Sequence, residues 1–378
     1  MKYLILMIVV TLFINTKLAQ VGASPKSEYR QVFMFLHQLT PAGSPGVQYI
    51  IVDKEKAIFE HCTGFADLKN GIPLTPNHTM AAFSMTKTIT AIAILQMVEK
   101  DLIGLDDIVA SYFRHPYGQG ITVRQLINHT SGAPNPVPLK WVHLPKDHQE
   151  FSEGRELDSV LKNNLKADHR PGKKYKYSNI GYWLLGKIVE KVTQQPFATY
   201  IVKNVFEPLS LKPDEISFEI IAPKDHAKGY LAKYSFMNLL KGFLADEEIW
   251  GGYEGRWLHI KDVYVNGPSF GGAIGSARAF ARIVQDLLSD NSTLLGENGK
   301  QLLFTQQKNS AGKAIEMSLG WHIGKLEGIK YFYKEGGGAG FHCEMRIYPS
   351  EGLGSVIMTN RTSLNTKKIL GRIDNSFL

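Results

Sequence analysis

Residues 83–100, FSMTKTITAIAILQMVEK, decide how this chain folds. From Ser84 onward, apolar residues occupy nearly every face of a helical pattern, which indicates a helix buried on all sides at the centre of a large fold. The same stretch places Ser84 and Lys87 three residues apart. In a helix this spacing puts both side chains on one face, one turn apart.

Two roles are open for Ser84. At the positive end of the helix its hydroxyl would stand where an alkoxide and a developing oxyanion are favoured, and a desolvated Lys87 would have a lowered pKa and could accept the serine proton. Equally, Ser84 could cap the helix while Lys87 is solvated. The Ser-x-x-Lys pattern occurs twice more, at Ser159/Lys162 and Ser310/Lys313. The pattern alone therefore does not choose between the two roles.

Composition and charge are those of an ordinary globular protein. The 378 residues are 44% hydrophobic and 21% charged, and this length allows two sub-domains or one large fold with an insertion. An excess of 43 Lys+Arg over 35 Asp+Glu gives a net charge of +8. Because no basic run is interleaved with aromatic residues, we expect no nucleic-acid partner and at most weak attraction to anionic surfaces.

The beginning of the chain has the pattern of an export signal. One lysine precedes an apolar run at residues 3–14, which is too short to span a bilayer comfortably and suits the core of a signal peptide. We predict a signal peptide at residues 1–23 and an exported, periplasmic or extracellular protein without stable membrane insertion after cleavage. A membrane anchor is the alternative if the leader is not cleaved.

The chain has two cysteines, Cys62 and Cys343. They could pair in an exported protein, although a chain of this size does not need a disulfide. No Cys/His cluster has the spacing of metal ligands, so we expect no metal site.

Strand-like runs lie at both ends of the chain. Residues 46–71 have the pattern of a β-hairpin after a surface helix at about residues 28–40. From about Ser276 a helix is followed by four strand-like runs and a last helix at about residues 362–373. Short helices and Gly/Pro-rich loops lie between these regions.

We therefore predict an α+β fold in which both chain termini build one antiparallel sheet flanked by helices. The sheet region comprises about residues 28–83 and 276–378, and a mostly helical sub-domain is inserted at about residues 101–270.

A second motif is Tyr177-Ser178-Asn179, in a loop just before another apolar helix. With help from neighbouring lysines, a tyrosine can be held as phenolate or can shuttle protons, and Asn179 can hydrogen-bond a substrate amide or a lysine. The alternative is a half-buried tyrosine in a turn, because Tyr-x-Asn recurs at Tyr264/Asn266.

A third motif is YKEGGGAGF, residues 333–341. An edge strand that ends in Lys-x-Gly lets a substrate backbone approach closely. Lys334 would add a second positive charge, and the Gly337 N–H would pair with that of Ser84 as an oxyanion hole. Lys-x-Gly recurs at residues 69–71, and a glycine-rich stretch is more often a plain turn.

In this order the three motifs resemble those of the serine β-lactamase and penicillin-binding-protein superfamily, nearest its class C β-lactamase, D-aminopeptidase and esterase branch. The family's Ser-x-x-Lys, Tyr-x-Asn and Lys-or-His-x-Gly fall on Ser84/Lys87, Tyr177/Asn179 and Lys334/Gly336. Similar flanking segments cover most of the chain, among them LINHTSGAP at 126–134 and GGAIGSARAFARIV at 271–284.

The resemblance implies a β-lactamase/transpeptidase-like hydrolase domain over residues 24–378 and an acyl-enzyme mechanism. It implies the catalytic residues Ser84, Lys87, Tyr177 and Lys334, and the substrate-binding residues Asn179, Glu335, Gly336 and Gly337. It implies neither a metal nor an organic cofactor. His129, in NHTSG, is interpreted as a packing and hydrogen-bonding residue, and Cys343 as buried rather than reactive.

Glu335 departs from the family pattern, in which Thr or Ser usually stands between the lysine and the glycine. An ionised Glu335 facing the cleft would repel an anionic substrate by about 1 kcal/mol or more. It would then favour neutral esters or substrates that bear an amine. The alternative is a solvent-facing or paired carboxylate without a role in selection.

The leading functional prediction is an exported serine hydrolase that forms an acyl-enzyme at Ser84. Its partner would be a small molecule or peptide with an ester or amide carbonyl, as for an esterase or peptidase. One alternative is a class C-type β-lactamase or a DD-peptidase, acting on β-lactams or cell-wall peptides. Another is a non-catalytic scaffold of the same fold.

Overall fold

The computed structural model describes residues 29–117, 120–136, 140–362 and 364–378. The signal peptide predicted at residues 1–23 lies outside these ranges. None of the helices in the described ranges combines the length and the apolarity needed to cross a membrane.

Sixteen strands lie in the described residues: β1 Val47–Asp53, β2 Ala57–Thr63, β3 Phe65–Asp67, β4 Ile72–Pro73, β5 Met80–Ala81, β6 Val142–His143, β7 Ile216–Ser217, β8 Gly229–Ala232, β9 Trp250–Glu254, β10 Trp257–Ile260, β11 Tyr264–Val265, β12 Ile274–Gly275, β13 His322–Leu326, β14 Ile329–Gly338, β15 Phe341–Tyr348 and β16 Leu353–Thr359. The α-helices of the same ranges are α1 Arg30–Leu39, α2 Thr86–Glu99, α3 Val123–Ile127, α4 Glu153–Asn163, α5 Asn179–Thr193, α6 Phe197–Ile201, α7 Phe236–Leu239, α8 Lys241–Leu244, α9 Pro268–Gly271, α10 Ala277–Leu288, α11 Glu297–Phe304 and α12 Thr366–Ile373.

A six-stranded sheet joins the two ends of the chain. Its strand order is β13-β14-β15-β16-β1-β2, and every neighbouring pair is antiparallel. The hairpin β1–β2 joins the C-terminal strands through β16, with Val47 opposite Thr359. The predicted α+β fold, with one antiparallel sheet built from both termini, is confirmed.

Residues of β1 alternate between two cores. Val47, Tyr49 and Ile51 pack with α1 and α12 on one face of the sheet. Ile50 and Val52 contribute to the larger core on the other face. Successive side chains of a strand point to opposite faces. Because both faces of β1 are buried, its sequence has apolar residues at consecutive positions, as in Tyr49–Val52.

Helix α2 runs through the larger core. Residues 86–97 of this helix are all buried, and it packs against α5, α9 and α11. A helix without a solvent-facing side needs apolar residues on every face, as its sequence predicted. The hydroxyls of its buried threonines bond to backbone groups: Thr90 Oγ1 donates to the Ser269 carbonyl at 2.6 Å, and Thr86 Oγ1 accepts from the Ala273 amide at 3.0 Å.

The region between the two sheet segments contains short strands as well as helices. Strands β8, β10 and β9 form a small sheet of their own, and β6 pairs with β11. Strands of two to five residues are too short for a period-two pattern to identify them.

The last helix begins later than about residue 362, where the sequence predicted it. Its first residue is Thr366, because the Asn365 side chain accepts a hydrogen bond from the Lys368 amide and caps the helix.

The two cysteines are separate thiols. Cys343 pairs with Met358, Met358 with Gln48, and Gln48 with Cys62, so the cysteines lie three strand spacings apart. At about 4.8 Å for each spacing, they are too far apart for a disulfide, whose Cα atoms lie within about 7 Å.

Candidate active site

Ser84 lies in a tight turn that leads into the buried helix. The turn is the 3₁₀ segment Phe83–Met85, and α2 follows at Thr86. Phe83 has a φ of 44°, which a residue other than glycine adopts only at a cost. This backbone places the Ser84 side chain at the N-terminal end of α2, where helix amides favour negative charge.

Two side chains from different segments contact the Ser84 hydroxyl. The Tyr177 hydroxyl oxygen is 2.6 Å from Ser84 Oγ, and Lys87 Nζ is 3.1 Å from it. The structure therefore brings together the first two predicted motifs, which are 93 residues apart in the chain.

Lys87 is buried within a set of oxygen acceptors. Its Nζ donates to Asn179 Oδ1 at 2.7 Å and to the Phe270 carbonyl at 2.6 Å. Burial, and then the nearby charge of Lys334, hold the pKa of Lys87 well below its usual range. In its neutral form the amine has two N–H groups and one lone pair. With both N–H groups bonded to Asn179 and Phe270, the lone pair of that form would face Ser84 Oγ.

Lys334 is a second cation close to the Tyr177 ring. Its Nζ is 5.3 Å from the ring centroid, and Lys87 Nζ is 5.0 Å from it. Burial lowers the pKa of Lys334 to about 7. Among the described residues its Nζ has no hydrogen-bond partner, so its positive charge is compensated mainly by aromatic faces.

Tyr177 is a phenol in this site. Burial raises its pKa, and the hydrogen bond to Ser84 opposes that rise only in part. Of the two forms that the sequence allowed, the structure favours the protonated proton carrier over a standing phenolate.

The NHTSG loop positions Tyr177. His129 is buried with a φ of 59°, and its ring lies 4.5 Å from the Tyr177 ring. Burial holds the pKa of His129 well below its usual range, so its neutral Nδ1 accepts the Ser178 amide at 3.2 Å. Ser178 in turn caps α5 by accepting the Gly181 amide. His129 is the packing and hydrogen-bonding residue that the sequence indicated.

Strand β14 brings the third motif against the serine turn. A Cβ on Gly336 would lie 2.1 Å from the Ala82 carbonyl oxygen and 3.0 Å from the Met85 amide, so only glycine permits this approach. Cys343, which is buried, donates from the neighbouring strand to the same Ala82 carbonyl at 3.2 Å. Gly337 and Ser84 line one cavity.

Glu335 is paired rather than isolated. Adjacent strand residues point to opposite sides, so Glu335 points away from the side on which Lys334 is buried. His342 Nε2 lies 2.6 Å from Glu335 Oε1, and this hydrogen bond lowers the pKa of Glu335. Glu335 is not among the described residues that line the cavity. Its placement matches the paired alternative more closely than a free carboxylate facing the substrate.

The other copies of the motifs lie elsewhere. Ser159, Lys162, Ser310 and Lys313 are all exposed, whereas Lys87 is fully buried. Asn266, from the second Tyr-x-Asn, contacts His143 instead of Lys87.

A cavity of about 520 Å³ opens beside Ser84, and the sequence motifs did not reveal it. Its walls come from separate segments, including Trp141, Leu231, Ile260 and Phe270. A sequence signal for it was the stretch FMNLLKGFL at residues 236–244, which is rich in large apolar residues within a loop-rich region. Within the described residues, no group of three or more His, Cys, Asp or Glu side chains could hold a metal ion.

Several known proteins are similar to this chain in sequence or in structure. Penicillin-binding protein 4* of Bacillus subtilis (strain 168) is 26% identical over 269 residues, which are 70% of this chain and 56% of that protein. Among solved structures, the octameric penicillin-binding protein homologue from Pyrococcus abyssi has a TM-score of 0.71 at 22% identity, over 91% of this chain and 75% of the other. The D-amino acid amidase from Ochrobactrum anthropi SV3, complexed with D-phenylalanine, has a TM-score of 0.70 at 18% identity, over 88% of this chain and 94% of the other.

The solved structures show that the fold is shared. The chain spans about half the length of the curated relatives that it matches. The family model described as Beta-lactamase matches residues 35–373, and the predicted resemblance is thereby confirmed. The chain belongs to the beta-lactamase family.

Proposed function

We propose that this protein is a serine hydrolase that forms an acyl-enzyme at Ser84 with an ester or amide substrate. The observation that carries the proposal is the contact of Ser84 Oγ with both Tyr177, at 2.6 Å, and Lys87, at 3.1 Å. A serine needs a partner that removes its proton when it attacks a carbonyl. Membership of the beta-lactamase family supports the same class of reaction.

Lys87 is the base for acylation. Its lone pair faces Ser84 Oγ, because Asn179 and Phe270 use the two N–H groups of the neutral amine. The Tyr177 phenol, protonated and 2.6 Å from the same oxygen, passes a proton to the leaving group. Lys334 stabilises negative charge that develops on Tyr177 during this transfer.

The backbone amides of Ser84 and Gly337 hold the oxyanion in this proposal. The end of α2 adds its positive potential at that point, and Gly336 lets β14 come close enough to the serine turn. Water then hydrolyses the acyl-enzyme. The protein acts after export, as the sequence pattern at residues 1–23 predicts.

A second candidate is action on β-lactams or cell-wall peptides. The similarity to a penicillin-binding protein of Bacillus subtilis and to a penicillin-binding protein homologue from Pyrococcus abyssi favours it. The apolar cavity favours a neutral ester or amide over these carboxylate-bearing substrates.

Labelling with a fluorophosphonate tests the hydrolase proposal. We expect one label per chain at Ser84 and none in Ser84→Ala, with labelling slowed by about 100-fold or more in Lys87→Met. Ser159→Ala is the matched control, because its Ser-x-x-Lys pair is exposed. Unlabelled wild-type protein that is correctly folded would instead identify a scaffold. Nitrocefin turnover that depends on Ser84 would favour the β-lactam candidate.

A further inference from the structure

The side chains that line the cavity beside Ser84 suit the binding of a hydrocarbon chain. The cavity, of about 520 Å³, has a volume typical of small-molecule sites. We propose that it holds an alkyl chain of medium or greater length, attached to the carbonyl that reacts with Ser84. This inference rests on the proposed hydrolase function and adds its substrate class, a neutral ester or amide with a long apolar chain.

Two groups of apolar side chains form walls of the cavity. One group includes Phe83, Trp141 and Phe270. The other belongs to the small sheet β8-β10-β9, whose own core supplies Leu231 and Ile260. Burying a hydrocarbon chain between such walls removes apolar area from both chain and protein, which favours binding in proportion to the length buried.

None of the described residues that line the cavity carries a charged side chain. Lys87 and Lys334 are fully buried and do not line the cavity. A carboxylate or ammonium group placed deep in this space would lose its hydration without gaining a partner, which is costly. The cavity therefore selects against charged substrate groups at this position.

The apolar lining continues to the protein surface. Met237, Phe243 and Leu244 line the cavity, and Phe243 is 62% exposed. Beside them, Phe236 and Leu239 are 72% and 80% exposed. Large apolar side chains exposed together mark a binding surface. A chain longer than the cavity can thus extend outward over the apolar side chains of helices α7 and α8.

Two series of esters test the proposal. One is p-nitrophenyl alkanoates from acetate to dodecanoate, and the other is alkyl acetates of the same lengths, so that either side of the carbonyl can carry the chain. In at least one series we expect kcat/KM to rise about three- to fourfold per methylene until the cavity is full. Flat profiles in both series overturn the proposal.

A variant that fills the cavity provides the structural check. Ala245 lines the cavity with an extended backbone, φ −155° and ψ 163°, which accepts a bulky side chain. We expect Ala245→Trp to lower the ratio of octanoate to acetate turnover at least tenfold. Ala167→Trp, at an exposed position away from the cavity, is the matched control and leaves the ratio unchanged. An unchanged ratio in Ala245→Trp contradicts the proposal.

A binding measurement that does not depend on hydrolysis tests the cavity separately from the proposed hydrolase function. A neutral fluorescent probe, dansyl dodecylamide, is titrated into Ser84→Ala with and without the added Ala245→Trp substitution. We expect binding to the single variant, displacement by dodecanol but not ethanol, and loss in the double variant. Binding of the probe without any ester turnover supports the cavity and rejects the hydrolase. Turnover that depends on Ser84, with no probe binding and no gain with chain length, rejects the cavity and keeps the hydrolase.

Discussion

Lys334 is a fully buried cation with little direct compensation. It faces the Tyr177 and Tyr182 rings at 5.3 and 5.9 Å, and within the described ranges its Nζ makes no hydrogen bond. Its pKa of about 7 lies well below the value of about 10.4 in an unfolded chain. Between these two values the unfolded state binds more protons than the folded state. The free energy of unfolding therefore rises with pH over this window.

Replacing Lys334 with the apolar side chain of Met should stabilise the protein at neutral pH. We expect Lys334→Met to raise the free energy of unfolding by about 2–4 kcal/mol at pH 7. The gain should shrink as the pH rises towards about 10.4, because above the unfolded-state pKa the wild-type lysine is mostly neutral in both states. Urea unfolding at several pH values measures the difference. Lys330→Met, an exposed position of the same strand, is the control. A gain that stays constant with pH would show that packing, and not charge burial, is responsible.

Strand β14 packs directly against the turn at Phe83–Met85 because Gly336 has no side chain. The Ala82 carbonyl occupies the space that a Cβ on Gly336 would need, so the strand carries Lys334 and Gly337 directly past Ser84. In the third motif, Gly336 thus permits the close approach of the strand, and Lys334 supplies a positive charge.

Gly336→Ala should separate the strand from the serine turn. Because the new Cβ would lie 2.1 Å from the Ala82 oxygen, one backbone must shift, and a displacement of about 1 Å costs about 100-fold in rate. We expect this loss in kcat for p-nitrophenyl acetate, measured at saturating substrate. Gly154→Ala, in helix α4 where a Cβ meets open space, should keep full activity. Unimpaired turnover by Gly336→Ala would mean that β14 does not position the site.

A buried polar network holds the two chain ends together on the far side of the sheet. Arg346 Nε donates to Glu344 Oε1 at 2.7 Å, and Arg346 Nη1 lies 3.8 Å from Asp374 Oδ2. Asp374 also accepts hydrogen bonds from Tyr49, Tyr348 and Ser355. The network links the N-terminal hairpin, the C-terminal strands and the segment after α12, away from Ser84.

Removing Arg346 should reduce stability more than catalysis. Arg346→Met leaves the Glu344 and Asp374 carboxylates buried without their cation, which costs about 3–5 kcal/mol. Urea unfolding should show this loss, while kcat of the folded variant changes less than about twofold. Lys54→Met breaks the exposed Lys54–Asp290 pair and should leave the free energy of unfolding nearly unchanged, because solvent screens exposed ion pairs. A loss as small as that of Lys54→Met would show that the network does not hold the chain ends together.

Local sequence patterns were enough to predict the central helix, the hairpin, the four C-terminal strands and the helix after Ser276. These elements are long and regular, so their hydrophobic periodicity survives without tertiary context. The order of the three motifs was enough to identify the family. Ser84 and Lys87 could be related from sequence because they are one helical turn apart.

Contacts between distant segments could not be derived in the same way. The Phe270 carbonyl on Lys87, the His342 partner of Glu335, the separation of the two cysteines and the apolar cavity all depend on how the sheet, the buried helix and the inserted region pack together. The pKa of Lys334 depends on them too, because burial is a property of the assembled core and not of any neighbour in the chain.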